Sequence, residues 1–200
     1  MNRPIVFGIL LFFIVFGVIF YIVRHRPASE EQTATSTTSN PDAPTDQRRI
    51  NIKLYFGTPG SAILETEERS IPYHETLDAQ AKEVMTALIA GPKGKLIPTI
   101  PEGARLIDIL VTKDGVAYVD LSGEIVSNHQ GGTTGEMVTV YSIVNTLTIN
   151  LPQIHAVQIL VDDRSVETLK GHVDLSKPLG ADLSLARQEP ESKPEQETSL

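Results

Sequence analysis

Cysteine is missing from the chain altogether. Its absence excludes disulfides, thiolate metal centres, a cysteine nucleophile and attachment through a lipidated N-terminal cysteine, so packing and hydrogen bonds alone must hold the fold. An excess of basic charge is missing too. The formal net charge is -8, carried as +3 on residues 1–26, -4 on 27–47, -4 on 48–179 and -3 on 180–200. Without a concentrated basic stripe the chain is a poor electrostatic partner for nucleic acid. There is no Gly-x-Ser-x-Gly, so a nucleophile elbow is excluded. No internal repeat of roughly 20 to 50 residues is visible, which excludes a solenoid. At 200 residues, a second large domain has no room beside the first.

What the N-terminus does have is a long apolar run. Ile5–Val23 (IVFGILLFFIVFGVIFYIV) carries no charge, and as a helix it is about 28 Å long, matching the hydrocarbon core of a bilayer. It runs straight into Arg24, His25 and Arg26, not into the small residues that follow a cleaved signal, and so reads as an uncleaved single-pass anchor behind a short segment 1–4. Arg3 and the amino terminus on one side nearly balance Arg24 and Arg26 on the other, so charge does not choose the orientation. Gly8 and Gly17 are too far apart for a small-xxx-small dimer motif.

Residues 24–47 form the next unit. From Pro27 to Gln47 there is no aromatic residue, no aliphatic larger than Ala, and no Lys or Arg, the composition of a disordered linker. Treated as a flexible tether, residues 24–47 reach about 27 Å on average. Residues 180–200, ending in EPESKPEQETSL, have the composition of a free acidic tail.

Between 48 and 179 the periodicity changes repeatedly. Ile50, Ile52, Leu54 and Phe56 alternate with Asn51, Lys53 and Tyr55, and Thr58-Pro59-Gly60-Ser61 turns the chain into a second strand over 62–71. Leu77, Ala81, Val84, Met85 and Leu88 fall at helical spacing, with Thr76 as N-cap and Gly91-Pro92 as stop. After an irregular stretch over 93–103, Ile107, Ile109 and Val111 lead through Lys113-Asp114-Gly115 into Val116–Leu121, a hairpin in which Asp and Gly both tolerate positive φ. Thr133-x-x-Glu136 reads as a capping box ahead of a helix whose buried stripe is Met137, Val140, Tyr141, Val144 and Leu147. Ala156–Val161 is a strand, followed by a turn and a short strand over Val166–Leu169. The order predicts an α+β class, with two helices packed on a mixed or antiparallel sheet and flanking hairpins.

Four features could carry chemistry. Gly131-Gly132-Thr133-Thr134-Gly135 precedes a helix, where free N–H groups attract anions, but no Lys-Ser/Thr follows and Glu136 in the first turn would repel a phosphate. His172 and Asp174, two apart, share a face if extended, as a metal pair or relay requires, while a locally hydrogen-bonded loop explains the same residues. Glu65 and Glu67 share a strand face beside Glu68, either as paired carboxylates for glycosidic cleavage or as a solvated face. His74, His129 and His155 stand apart in sequence. None of these compels a catalytic, cofactor or metal site, and no cofactor is expected.

The motif order as a whole resembles one family, the GerMN or "Germane" domain of sporulation and spore germination. The resemblance rests on Leu54-Tyr55-Phe56, Leu88-Ile89-Ala90-Gly91-Pro92, Ile100-Pro101-Glu102-Gly103, Gly115 through Ser122, Glu136, Ile143 through Leu147, Val157 through Asp162, and Glu167 through Ser176. It implies a noncatalytic, extracytoplasmic domain of residues 48–179 held at the bacterial cytoplasmic membrane. It also implies kinship with the αββαβ ring-building domains of envelope complexes, an order that residues 76–162 supply. The expected partners are the membrane, envelope proteins or further copies of the chain, and peptidoglycan as a further candidate. The alternative is a cell-wall or metal-dependent hydrolase built on His172, Asp174 or Glu65 and Glu67. Two departures stand out: Asp162-Asp163 replaces the usual Asp-Gly of the last hairpin, and a helix replaces the lipidated cysteine of many relatives. At Asp163 the resemblance predicts a left-handed turn conformation.

Overall fold

The structure is a computed structural model that describes residues 48–187. The anchor expected at Ile5–Val23, the linker to Gln47 and the tail beyond Arg187 lie outside the described residues. Among those described, no helix is long and apolar enough to cross a membrane.

Strands β1 (Arg49–Gly57) and β2 (Leu64–Pro72) form an antiparallel ribbon, in register from Arg49↔Pro72 to Gly57↔Leu64. Helix α1 (Leu77–Ile89) follows, its first turn capped by the Thr76 hydroxyl, which accepts the Ala79 N–H. At the other end Gly91, at φ +79°, turns the chain out, and the Arg69 guanidinium bonds the carbonyls of Ala87 (2.8 Å) and Gly91 (3.0 Å). A cation on the last carbonyls satisfies groups that the helix itself cannot.

The second sheet has the order β3-β4-β5-β6. β3 (Leu106–Val111) runs antiparallel to β4 (Val116–Leu121), β4 parallel to β5 (Ala156–Val161), and β5 antiparallel to the two-residue β6 (Arg164–Ser165). The parallel pair is joined by the one-turn helix α2 (Glu124–Ser127) and the long helix α3 (Thr133–Asn150). Ala117, Val119 and Leu121 pair with Val157, Ile159 and Val161, and all six are buried. This apolar face packs with α1, α3 and the inner face of β1 into one core, to which Leu54, Phe56, Met85, Leu88, Ile143 and Leu147 contribute their full side chains.

Helix α3 lies between the ribbon and the sheet, which is why it is buried over more than one stripe. Thr139, Ser142, Asn145 and Thr146 are buried along with the apolar residues, while Met137 and Tyr141 of the expected stripe are only half-buried. Buried polar groups need partners, and three of these residues, with Asn150, find them outside the helix: Thr139 donates to the Thr99 carbonyl. Thr146 and Asn150 accept the N–H groups of Tyr55 and Lys53 on the outer edge of β1, and the Asn150 amide donates to the Lys53 carbonyl. The Asn145 amide makes a reciprocal pair with the backbone of Asp182.

Several expectations change. The stretch over 166–169 is not a strand; pairing stops at Ser165, because the following N–H groups turn toward the Glu136 carboxylate. Thr133 is not the N-cap: Gly132, at φ +83°, occupies that position without a side-chain bond. A bulge between Leu106 and Asp108 leaves Ile107 48% exposed, outside the alternation. The Asp114-Gly115 hairpin is present, but only Gly115 has positive φ (+75°), the Thr112 carbonyl accepting from Gly115 and the Val116 carbonyl from Thr112. In the last turn both Asp162 (φ 49°) and Asp163 (φ 61°) are left-handed. Finally, the chain is bonded to the domain past Leu179: a 3-10 turn at Leu183–Leu185 follows the Asp182 pair, and Arg187 N–H donates to the Leu64 carbonyl at 2.8 Å.

Candidate functional site

At the N-terminal end of α3 the molecule is open. A cleft of about 770 Å³ lies between the tip of the ribbon (Gly57, Thr58, Ser61), the irregular segment 97–103, the loop 128–131 and the first turns of the helix (Thr134, Gly135, Val138, Thr139). The glycine-rich loop that sequence places here does form one wall. With no side chain capping the helix, the first-turn N–H groups of Thr133, Thr134 and Gly135 bond no acceptor among the described residues.

His129 anchors that wall. It is buried, its Nδ1 accepts the Gly131 N–H at 2.9 Å, and its Nε2 lies 3.1 Å from the Thr139 hydroxyl, which donates its own proton to the Thr99 carbonyl at 2.7 Å. With the Thr139 proton committed, Nε2 must carry the ring hydrogen and Nδ1 none. Burial, helped by the positive field of Lys170, lowers the His129 pKa against the pull of Glu136. A neutral imidazole with both nitrogens in use holds the loop in place, and has neither nitrogen free for acid–base work. Beside it, Thr99 is only 6% exposed and its hydroxyl has no partner.

Glu136 points away from the cleft. Its side chain has no exposed surface; one oxygen accepts the Leu169 N–H (2.8 Å), and the other accepts the His172 N–H (2.9 Å) and lies 3.1 Å from His172 Nδ1. Burial alone would raise its pKa, but the N–H groups of Lys170 and Leu169 and the bonds from His172 outweigh it and hold the carboxyl below its ordinary range. Glu136 is thus an ionised clasp on the loop 166–176, where sequence suggested a capping box. Neither spacing nor composition could have revealed this, because its partners lie more than thirty positions away and most are backbone.

Of the sequence-derived candidates, only His172 and Asp174 come to one place. His172 is held by Glu136, whereas Asp174 accepts from the N–H (2.9 Å) and hydroxyl (2.6 Å) of Ser176, bonds that keep its pKa low. The two line one shallow pocket with Glu167, Thr168, Gly171 and Ser176, but they are not bonded to each other, and each makes its own local contacts. Glu65 pairs with Arg187 at 2.9 Å. Glu67 takes the Arg69 guanidinium and the N–H groups of Lys93 (2.9 Å) and Gly94 (3.1 Å). Burial pushes the Glu67 pKa up, but these bonds more than reverse it, the opposite direction from that of a glycosidase acid. Glu68 is exposed. His74 lies 3.4 Å from Glu83, and His155 Nδ1 2.8 Å from the Gly115 carbonyl, so the histidines stay apart. Among the described residues, no three His, Asp or Glu side chains converge in a way that could hold a metal ion.

Comparison with known proteins places this fold. A protein of Clostridium perfringens described as a lipoprotein is 32% identical, over 66% of this chain and 87% of that one, with a TM-score of 0.47. The tandem GerMN domains of the sporulation protein GerM from Bacillus subtilis share the fold at 17% identity and a TM-score of 0.52, over 66% of this chain and 46% of that one. The first GerMN domain of the same protein gives 18% identity and a TM-score of 0.48, with 96% of that domain covered. No curated protein gives a significant match. Residues 53–167, more than half of the chain, match the Germane family, described as sporulation and spore germination; the chain belongs to that family.

Proposed function

We propose that this chain is a membrane-tethered module that binds a protein partner on the outer side of the bacterial cytoplasmic membrane, scaffolding an envelope assembly of the kind sporulation or germination requires. One contrast carries the reading. The groups that could have served hydrolysis, namely Glu67, His172 and Asp174, each commit at least one side-chain polar atom to bonds within the domain, while the cleft beside α3 stays open over about 770 Å³. The apolar run Ile5–Val23 supports attachment to a membrane, and membership of a sporulation and germination family is in keeping with an envelope setting.

The test is crosslinking in cells. A photoreactive residue at Leu110, Tyr118 or Ile97, all exposed, is introduced one at a time into the full-length chain. Discrete protein adducts at one or more positions support the module. A wall-hydrolysing activity that His172→Ala abolishes, with no adduct at any position, overturns it in favour of a hydrolase.

A further inference from the structure

The cleft has a chemistry of its own. Its floor is apolar, with Ile97 (44% exposed), Ile100 and Val138, and its helix wall offers the unpartnered N–H groups of the first turn of α3. A helix start often attracts anions, but not here. The ionised Glu136 sits in that first turn, Glu102 adds a second carboxylate at the rim with no ion pair among the described residues, and no Lys or Arg lines the cleft. Donors without a cation, in a negative field, suit carbonyl oxygens on a neutral or positively charged chain. The Thr99 hydroxyl, buried in the same wall and unpaired, is a second polar group that the fold leaves unanswered, against the general rule for buried polar atoms. The lining carries no Phe, Tyr or Trp to give sugar rings a face to stack on. At Gly131 no protein atom lies within 4 Å of where a Cβ would stand, which leaves room for a backbone to approach.

We infer that this cleft binds an extended peptide segment of another protein, one without acidic side chains, that sets an apolar residue on Ile97 and Val138, a Lys or Arg against Glu102, and its carbonyls on the N–H groups of Thr133–Gly135. Recognition through main-chain bonds plus side-chain pockets is a common mode for extended peptides. The tail 188–200, with four Glu and one Lys, is excluded as the occupant by the same charges. This inference rests on the protein-binding reading above and names its site and ligand.

The experiment selects phage-displayed random dodecapeptides on the full-length chain in lipid nanodiscs. The expected peptides are apolar and basic, without Asp or Glu. Thr134→Trp, which adds bulk at an exposed lining position, and Ile97→Ser, also exposed, should each weaken them by about tenfold or more. Glu102→Gln should weaken peptides bearing Lys or Arg but not their Gln-substituted versions. Thr99→Val separates binding from folding: it should weaken the peptides while leaving the melting temperature unchanged or higher, since it removes an unpaired buried hydroxyl. Enrichment of acidic peptides, no enrichment, binding indifferent to all four substitutions, or binding of purified peptidoglycan strands in place of peptides overturns the inference. If crosslinking at Leu110 or Tyr118 still captures a partner in that case, the peptide cleft fails and the binding module stands; if no position captures one, both fail.

Discussion

Glu136 presents opposite charge effects at one residue. Its carboxylate has no exposed surface, a placement that disfavours ionisation, yet the backbone N–H groups of the 166–176 loop and the His172 ring reverse that preference. The depressed pKa fixes the sign of a pH effect. A carboxyl whose folded value lies below its ordinary 4.5 contributes stability that is complete above that value and is lost as pH falls through the folded value. Glu136→Gln should therefore destabilise the domain at pH 7 by about 3 kcal/mol, since the new amide places donors against donors, and should flatten the acid limb of stability against pH. Urea denaturation at pH 7 and below 4.5 measures both; an unchanged acid limb would show that the clasp does not titrate. Asp162 and Asp163 are a second case. Both are left-handed, a conformation a side chain disfavours, but Asp162 accepts the Gly123 N–H at 3.0 Å while the Asp163 side chain is exposed. Asp163→Gly should then be neutral or stabilising by up to about 1 kcal/mol, and Asp162→Gly destabilising. Thermal melts that reverse that order would mean the turn needs the Asp163 side chain.

Elements were legible where a local pattern decides them. The alternation from Ile50 to Phe56, the spacing from Leu77 to Leu88 and the run Ala156–Val161 all became the expected elements, because each buries one face or lies wholly in the core. Misreadings came where a distant partner wins. The 166–169 stretch has strand-like residues, but the Leu169 N–H at its end, like that of His172 beyond it, is taken by Glu136, and the bulge near Ile107 depends on the register with β4. α2 is too short for any periodicity to announce it. The β3–β4 hairpin shows how much one residue can settle. A Cβ on Gly115 would lie 2.6 Å from the Gln153 carbonyl oxygen and 2.7 Å from His155 Nδ1, at a φ of +75°. Gly115→Ala must therefore push apart the loop ahead of β5 as well as strain its own backbone, and should cost about 3 kcal/mol or more. Differential scanning calorimetry checks it; a loss below about 1 kcal/mol would show that the 153–155 segment yields freely.

For the whole molecule, motif order gave the family; the apolar run, the linker and the tail beyond Arg187 that composition sets apart lie outside the described residues. The cleft was not legible, since it is assembled from four separate stretches between Gly57 and Thr139, and composition could not find where the fold stops. Residues 180–187 look like tail, yet the buried Asn145 amide finds both of its partners on Asp182 (2.8 and 2.9 Å), and Arg187 adds a backbone bond to Leu64 and an ion pair with Glu65. Ending the chain at Leu179 would leave that amide buried and unpaired, at about 1–3 kcal/mol, and would uncover part of α3 besides. The ion pair, half exposed, adds little. A fragment of residues 48–187 should thus unfold cooperatively without residues 1–47, with a urea midpoint higher than that of 48–179 by an amount equal to about 3 kcal/mol. Asn145→Val should narrow the gap, because it removes the group that the segment exists to satisfy. Equal midpoints for the two fragments would show that 180–187 is held by the domain without supporting it, and failure of 48–187 to unfold cooperatively would mean that residues 1–47 take part in folding.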